Sequence, residues 1–410
     1  MVKRIVYLNP IGGLGGAERL LLDLLATVRV LAPEYELHLI LAGAGPLAGE
    51  AEKLGVRTRV LALPEALAQA GDFALANQSQ LKAAFELARQ GLRALASLRE
   101  YTRQLAAALE DLQPALVHSN GIKTHLLGRR ALGPDVPIVW HLHDFLSARK
   151  VSARTLRWST RGVAAGIAVS QAAAADARKV LPSVPVEVVY NGIDLERFSP
   201  GPGLGARLDE LAGLPPAPHG TLRAGLVATY ARWKGHDVFL NAAARFSKLR
   251  PEIPIRWYLI GGPIYQTPGS QFSESELRAQ VRALGLEQCA GFIGFQSDPA
   301  WVYRSLDLVV HASVRPETFG LTIVEAMACA RPVLVAAAGG ARELFTDGHD
   351  AAGFPPGDVA ALTELLMHLA GDPRRRAQLG AQAHLTAQRR FSRVRLGQEI
   401  LGIYRRILQT

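Results

Sequence analysis

With 410 residues, 49% hydrophobic and 20% charged, the chain is long enough for two domains with separate cores, and its composition excludes a disordered or fibrous protein. Cys289 and Cys329 form no close pair, so no metal or redox motif is expected and a reducing cytoplasm is the simpler setting; no apolar run reaches the roughly 18 residues of a bilayer span. The net charge of +10 admits nucleic acid, an anionic membrane surface or a phosphorylated substrate as partner, besides a plain arginine-rich surface.

Lys3 to Leu8 reads as a buried parallel strand that stops at Asn9-Pro10, a strand rather than a signal peptide. A loop follows with Gly15 and Gly16, then a helix from Ala17 to Val28 with Leu20, Leu21, Leu24 and Leu25 on one stripe. Strand, glycine loop and helix make a phosphate cradle. Glu18 stands where the third glycine of G-x-G-x-x-G would fall, and the strand Glu36 to Leu41 ends without an acid for a ribose. A nicotinamide cofactor is therefore disfavoured, and Gly15 and Gly16 are either a cradle or a tight turn.

Strands are expected at 57–61, 115–118, 138–143, 166–169 and 186–190, with a helical stretch at 81–112, either continuous or broken near Gly91. Ser119 and Asn120 are placed to cap the helix after their strand, and Ser170 to cap the end of its own. Repeated strand-helix units predict parallel sheet covered on both faces, with ligands at the strand carboxyl ends. His118, His143, Ser170 and Asn191 fall at such ends. His141 and His143 share a face of one strand. With Asp144 they are metal ligands, structural groups or, preferably, residues facing a sugar.

Residues 199–220 are rich in Pro and Gly and mark a boundary between domains at 1–200 and 201–390. A last amphipathic helix from 391 to the end carries Leu396, Ile400, Ile403, Tyr404 and Leu408 on one face. Between the strand Leu222 to Val227 and the helix Val238 to Leu249 lie Arg232 and Lys234, with Gly235 to turn the chain. Two cations there suit a diphosphate, arginine in bidentate contact and lysine as a point charge, unless they are ordinary surface charges. A strand at 256–260 ends in Gly261-Gly262, and Ile293 and Phe295 sit at another strand end.

The strand 306–313, opened by Asp307, leads into Arg315-Pro-Glu-Thr-Phe-Gly-Leu-Thr-Ile-Val-Glu-Ala-Met-Ala328. Glu317 precedes the turn at Gly320, and Glu325 lies in the first turns of a helix; eight helical steps would set them roughly 12 Å apart. A carboxylate accepts two sugar hydroxyls, and the free N–H groups at the helix start between the acids favour an anion. Two polyol ends with a phosphate between them describe a nucleotide diphosphate sugar. The plain alternative is a pair of acids favoured by the helix dipole, but Glu325, set among Ile, Val, Ala and Met, needs a partner.

Glu317-x7-Glu325 with Phe319-Gly320 between resembles the E-x7-E signature of the retaining glycosyltransferases of family 4. His143-Asp144, Asn191-Gly-Ile-Asp194, Arg232 to Gly235 (with Ala231 where glycine is usual) and Gly339-Gly340 to Glu343 resemble other elements of that family. The likeness covers most of the chain and is loosest between Pro64 and Gln113, where acceptor binding is expected to vary.

The resemblance implies an α/β, GT-B fold: two Rossmann-like doubly wound parallel-sheet domains facing a central cleft, the first for acceptor and the second for donor, with the last helix crossing back to the first. It implies transfer of a hexose, with retention, from a nucleotide sugar to a hydroxyl on a lipid-linked, polysaccharide or small-molecule acceptor in bacterial glycan biosynthesis. UDP is the default base because it is commonest in the family; GDP and ADP stay open. Arg232, Lys234, Glu317 and His143 become the catalytic residues. Gly15, Gly16, Gly262, Ile293, Phe295, Thr318, Phe319, Gly320, Leu321 and Glu325 join Arg232, Lys234 and Glu317 on the donor. His118, Asn120, Asp144 and Asn191 face the acceptor. The leaving phosphate takes the acceptor proton during same-face attack, and neither metal nor cofactor is required. Two other readings remain: another GT-B nucleotide-sugar enzyme (an epimerase or inverting transferase), or a non-catalytic basic protein. Residues 149–161 cluster cations around Trp158, which suggests peripheral contact with the anionic inner face of the membrane; nucleic acid is not expected.

Overall fold

Apart from the edge strands Arg57–Val60 and Val186–Val188, the strands are short, mostly apolar runs with little polar alternation, the pattern of strands buried on both faces. In β1 (Lys3–Asn9), Ile5, Val6 and Tyr7 are fully buried. The computed structural model describes residues 3–64, 82–263 and 269–409, the side chains of 82–94 excepted, and its contacts divide it into two units, Met1–Gly192 with Arg393–Thr410, and Ile193–Ser392.

In the first unit β1 is followed by α1 (Gly16–Leu31), β2 (Tyr35–Leu41), α2 (Pro46–Lys53), β3 (Arg57–Val60), α3 (Lys82–Leu112), β4 (Leu116–Asn120), α4 (Ile122–Ala131), β5 (Ile138–Leu142), α5 (Lys150–Trp158), β6 (Val163–Ala168), α6 (Gln171–Val180) and β7 (Val186–Val188). They build a seven-stranded parallel sheet in the order β3-β2-β1-β4-β5-β6-β7. The chain runs outward from β1 to β3 and then returns to lay β4 beside β1. At such a reversal the loops leaving neighbouring strands part and open a crevice at their carboxyl ends. Asn9 ends β1 and Asn120 ends β4, so both stand at that point.

The second unit contains α7 (Gly205–Leu211), β8 (Leu222–Val227), α8 (His236–Leu249), β9 (Ile255–Ile260), α9 (Glu274–Ala283), β10 (Ala290–Ile293), α10 (Ala300–Ser305), β11 (Leu308–His311), α11 (Leu321–Ala328), β12 (Val333–Ala336), β13 (Ala352–Phe354), α12 (Val359–Gly371) and α13 (Pro373–Arg390). Its six-stranded parallel sheet has the order β10-β9-β8-β11-β12-β13, so the reversal falls between β8 and β11. Trp257 of β9 anchors the core edge-on to Phe239 and Phe246 of α8, with ring centroids 5.8 and 5.5 Å away.

α14 (Arg393–Gln409) belongs to the first unit. Leu396, Ile400, Leu401, Ile403 and Tyr404 join the core made by α1 and the strands. Each such buried side chain stabilises the fold by about 1.5–3 kcal/mol. Close approach to α1 needs Gly397, because a Cβ there would lie 2.3 Å from Thr27 Cγ2.

Several local expectations differ from the structure. α3 runs through Gly91 without a break, because the helix tolerates one glycine at a cost of about 1 kcal/mol. Lys82, Arg89 and Arg93 have side chains outside the described residues, as does most of the variable stretch after Pro64. The boundary precedes the Pro- and Gly-rich segment, because residues 193–200 are tied into the second unit: Arg197 pairs with Asp298 at 2.9 Å, and Arg304 donates to the carbonyls of Arg197 and Ser199. Gly121, not Ser119 or Asn120, is the N-cap of α4, since both polar side chains are engaged below the loop. Ser170, expected to cap the end of its own strand, is the N-cap of α6, accepting from Ala173 N at 3.0 Å. No helix among the described residues is long and apolar enough to cross a membrane.

Candidate functional site

The strand-order reversal of the second sheet gathers charged groups. After β8 the chain makes a short 3-10 turn over Arg232–Lys234 and reverses through Gly235 at φ 73°. A Cβ on Gly235 would come within 1.9 Å of the Ala312 carbonyl oxygen. Only glycine lets this turn lie against the chain leaving β11, and Val314 N donates to Trp233 O between them at 2.8 Å. On the other side Glu317 bridges to Gly339, and Gly340 N donates to the Glu317 carbonyl at 2.7 Å.

These loops bring Lys234 Nζ to 2.6 Å from Glu317 Oε1. Ser313 Oγ donates to the same oxygen, and His311 Nε2 lies 3.3 Å from it. Burial pushes the Glu317 pKa up, but the opposing pull of Lys234 and His311 prevails and holds the carboxyl well below its ordinary range. Among the described residues these contacts all fall on Oε1, so Oε2 keeps acceptor capacity toward a ligand.

Arg232 lies in the same turn, yet its guanidinium is engaged elsewhere. It pairs with Glu276 at 2.7 Å, donates to Gly269 O at 3.1 Å and covers the Phe272 ring at 4.3 Å. Glu276 is itself part of the capping box of α9 with Ser273. Glu325, in the second turn of α11, is half-buried and accepts from Tyr303 Oη at 2.7 Å, which supplies a partner for that acid. Glu317 stands before the helix rather than in it, so the separation drawn from eight helical steps does not apply.

The flanking positions frame this region. Gly320 turns at φ 126°, Phe319 is buried edge-on to Phe391, and Thr318 and Leu321 are half-buried. Gly262 O accepts from Tyr230 N at 3.1 Å. Ile293 is buried with its carbonyl taken by Gly261 N at 2.9 Å, while Phe295 is 59% exposed.

The reversal of the first sheet gathers mainly neutral groups. Asn120 Nδ2 donates to Asn9 Oδ1 at 2.7 Å, and His143 Nε2 meets Asn120 Oδ1. Because the Asn120 nitrogen donates, its oxygen accepts, and the proton is assigned to His143 Nε2. Asn9 Nδ2 also lies 3.4 Å from Glu18 Oε1, and Gly15 N donates to Glu18 Oε2 at 3.1 Å. A second chain runs from Tyr404 Oη to His118 Nδ1 at 2.7 Å, and from His118 Nε2 to His141 Nδ1 at 3.2 Å. Burial pushes His143 down to about 4 and His118 to about 3, and holds His141 well below its ordinary value. These rings are therefore neutral at neutral pH.

Several expected roles need correction. The Gly15 N–H is taken by the buried carboxylate of Glu18, and Gly16 opens α1. An acid at that helix start takes the place of an anion at the Gly15 N–H. His118 is 0% exposed between Tyr404 and His141, and Asn191 is 4% exposed with its carbonyl accepting from Arg395 Nη2 at 3.2 Å; both sit beneath the surface an acceptor would touch. Asp144 remains at the surface, 3.8 Å from Arg149. Among the described residues no group of three His, Cys, Asp or Glu side chains is arranged to hold a metal ion.

Residues 14–197 match the family model for Glycosyltransferase Family 4, and residues 216–386 match that for Glycosyl transferases group 1. The chain belongs to this glycosyltransferase family. Among the family's members, the D-inositol 3-phosphate glycosyltransferase of Stackebrandtia nassauensis is 33% identical over 223 residues, 53% of this chain and 48% of that protein. The lipopolysaccharide core biosynthesis mannosyltransferase LpsB of Rhizobium meliloti is 31% identical over 229 residues, 55% of this chain and 62% of that protein. The chain thus spans about half the length of the first of these relatives. Anabaena Alr3699/HepE, solved in complex with UDP and glucose, has a TM-score of 0.77 and 25% identity, covering 97% of this chain and 98% of its own. Sucrose-phosphate synthase from Thermosynechococcus elongatus, with a TM-score of 0.74 and 19% identity over 99% of both chains, shares the fold. The fold is GT-B, with two Rossmann-like parallel-sheet units.

Within this chain, some site residues escaped the sequence reading. His311 and Ser313 lie two apart at the end of β11, so a shared face was legible. Tyr303, Glu276 and Asn9 gave no such signal, since each reaches its partner only through the fold.

Proposed function

We propose that the protein is a retaining glycosyltransferase that moves a hexose from a UDP-sugar to a hydroxyl acceptor. The observation that carries this reading is the Lys234–Glu317 pair at the strand-order reversal of the second sheet, with Arg232 in the same turn. A donor pyrophosphate draws Arg232 from Glu276, a half-exposed partner that holds it weakly. Lys234 bridges the phosphate and Glu317, Glu317 Oε2 accepts hexose hydroxyls, and Glu325 accepts the ribose. As the sugar C–O bond to phosphate breaks, the two cations stabilise the charge left on UDP. The acceptor oxygen bonds to the same face of the anomeric carbon, and its proton passes to the leaving phosphate oxygen. No protein base or metal is assigned, because Arg232 and Lys234 supply the positive charge.

In the first unit the neutral His143 and Asn120, with Asp144 at the rim, are assigned to a polyhydroxyl ligand. UDP is chosen because the Anabaena relative binds it. α5, with Lys150, Arg154, Arg157 and a 79% exposed Trp158, is assigned to peripheral contact with an anionic membrane, which liposome flotation at low salt tests.

Thermal shift and donor hydrolysis with UDP-, GDP- and ADP-glucose test the donor. A response to UDP-glucose above the other two is expected; no response to any sugar nucleotide rejects the reading. Proton NMR of the first product tests retention, and an inverted anomer rejects it.

A further inference from the structure

Glu317 and Glu325 have partners of different kinds. Glu317 is paired with the Lys234 ammonium at 2.6 Å, whereas Glu325 Oε2 accepts from a phenol, Tyr303 Oη, at 2.7 Å. A cation orients a carboxylate and cancels its charge. A neutral hydroxyl orients it and leaves the charge to act on a ligand. Tyr303 is fully buried and Glu325 half-buried, so the phenol proton needs an acceptor inside the protein and finds it on this acid.

The phenol is itself held from behind. Tyr303 lies in α10, a helix of six residues, too short to keep its own place. The stretch that opens the second unit supplies the grip. Arg304 donates to Arg197 O at 2.7 Å and to Ser199 O at 2.8 Å. Leu204 N donates to Ser305 Oγ at 2.8 Å, and Arg207 covers the Trp301 ring at 4.7 Å. Phe198 packs on Tyr303 itself, with ring centroids 6.2 Å apart. Residues on both sides of Tyr303 are thus anchored, which fixes where its hydroxyl points.

We propose that Tyr303 is a positioning residue that turns Glu325 to receive both hydroxyls of a ribose, and so sets a preference for a ribonucleotide over a deoxyribonucleotide. Placing the ribose on Glu325 rests on the transferase reading. A carboxylate offers about four acceptor positions, so a phenol on one oxygen does not exhaust it. Two adjacent hydroxyls are met only when both carboxylate oxygens are turned toward them, whereas a single hydroxyl is met in many orientations. An unrestrained carboxylate would lose affinity to its own ordering as the ribose arrived; the bond from Tyr303 orders it beforehand. Removing that bond therefore falls on the diol more than on a lone hydroxyl.

Calorimetric titration of the full chain with UDP, GDP and ADP, each beside its 2′-deoxy counterpart, tests the proposal whichever base the site takes. The wild type is expected to bind the preferred ribonucleotide about tenfold or more tightly than its deoxy counterpart, the worth of one hydrogen bond to a charged acceptor. Tyr303→Phe keeps the ring and should weaken the ribonucleotide by about tenfold and the deoxyribonucleotide by less than about threefold, which removes most of the preference. A merely structural role would weaken the two alike. In a Glu325→Gln background, Tyr303→Phe should cause no further loss, because it acts through that acid. Equal affinity of the wild type for the two sugars, a preference that survives Tyr303→Phe, or additive losses in the double variant overturns the proposal and leaves the transferase reading standing. Binding of no nucleoside diphosphate removes both.

Discussion

Both sheets reverse their strand order beside their first strand, and the two crevices are furnished in opposite ways. In the second unit the crevice carries full charges held in pairs, Lys234 with Glu317 and Arg232 with Glu276. In the first unit it carries mainly neutral amides and imidazoles, Asn9, Asn120 and His143, underlain by His118, His141 and Tyr404, with the Glu18 carboxyl beside Asn9. A charged pair can exchange partners with a charged ligand, because the incoming anion replaces what the pair gave. A buried neutral chain has no such exchange, and its hydrogen bonds fix ring and amide orientation instead. The same topology thus offers one crevice suited to a pyrophosphate and another suited to hydroxyl groups.

The largest effect should come from breaking the charged pair. Lys234→Ala and Glu317→Gln are each expected to lower kcat by about 10²–10³-fold, read as UDP release from a UDP-sugar. Lys234→Ala also strands a partly buried carboxylate and should lower unfolding stability by about 3 kcal/mol. Turnover within threefold of the wild type would remove the pair from the chemistry.

Acid should separate the two units. His118 and His143 have folded pKa values of about 3 and about 4, below the ordinary value of 6.5, so the unfolded chain binds more protons between them. Their contribution is full above about pH 6.5 and is lost as pH falls from there through about 4 for His143 and about 3 for His118, on the order of a few kcal/mol. Glu317 is also held below its ordinary value, but as a carboxylate its contribution is lost only as pH falls beneath about 4.5. Hydrogen exchange across this range should show β4 and β5 losing protection at a higher pH than β11. Simultaneous loss below pH 4.5 would mean that neutral histidines do not hold the first unit.

Gly235→Ala should cost about 2–4 kcal/mol in urea unfolding, since its positive φ and its contact with Ala312 both exclude a side chain. An unchanged midpoint would show that the turn does not set the Lys234–Glu317 distance. The smallest effect is expected at Glu276→Gln. It should change stability by less than about 1 kcal/mol and tighten UDP binding by freeing Arg232; weaker UDP binding would show that Glu276 positions this arginine rather than competing for it.

Much of this was legible along the chain. Glu317, Glu325, Arg232 and Lys234 are local in motif, and glycine at 235 and 320 announces turns that only glycine makes. The failures have a common cause. Glu18 reads as a departure from a phosphate loop, and the structure turns it into the acid that closes that loop. His118 reads as a strand-end residue, but a helix nearly three hundred residues later places Tyr404 against it and buries it.

Strand runs, helix stripes and glycine turns follow from side-chain chemistry within a few neighbours, so the amino-acid order alone determined the two α/β units and the chemistry on offer. Which strand lies beside which was decided by burial among parts distant in sequence. The tertiary structure set β1 against β4 and β8 against β11, and thereby paired Asn9 with Asn120 and Lys234 with Glu317. A parallel strand carries no hairpin to specify its neighbour, and its place is settled only when the whole layer packs.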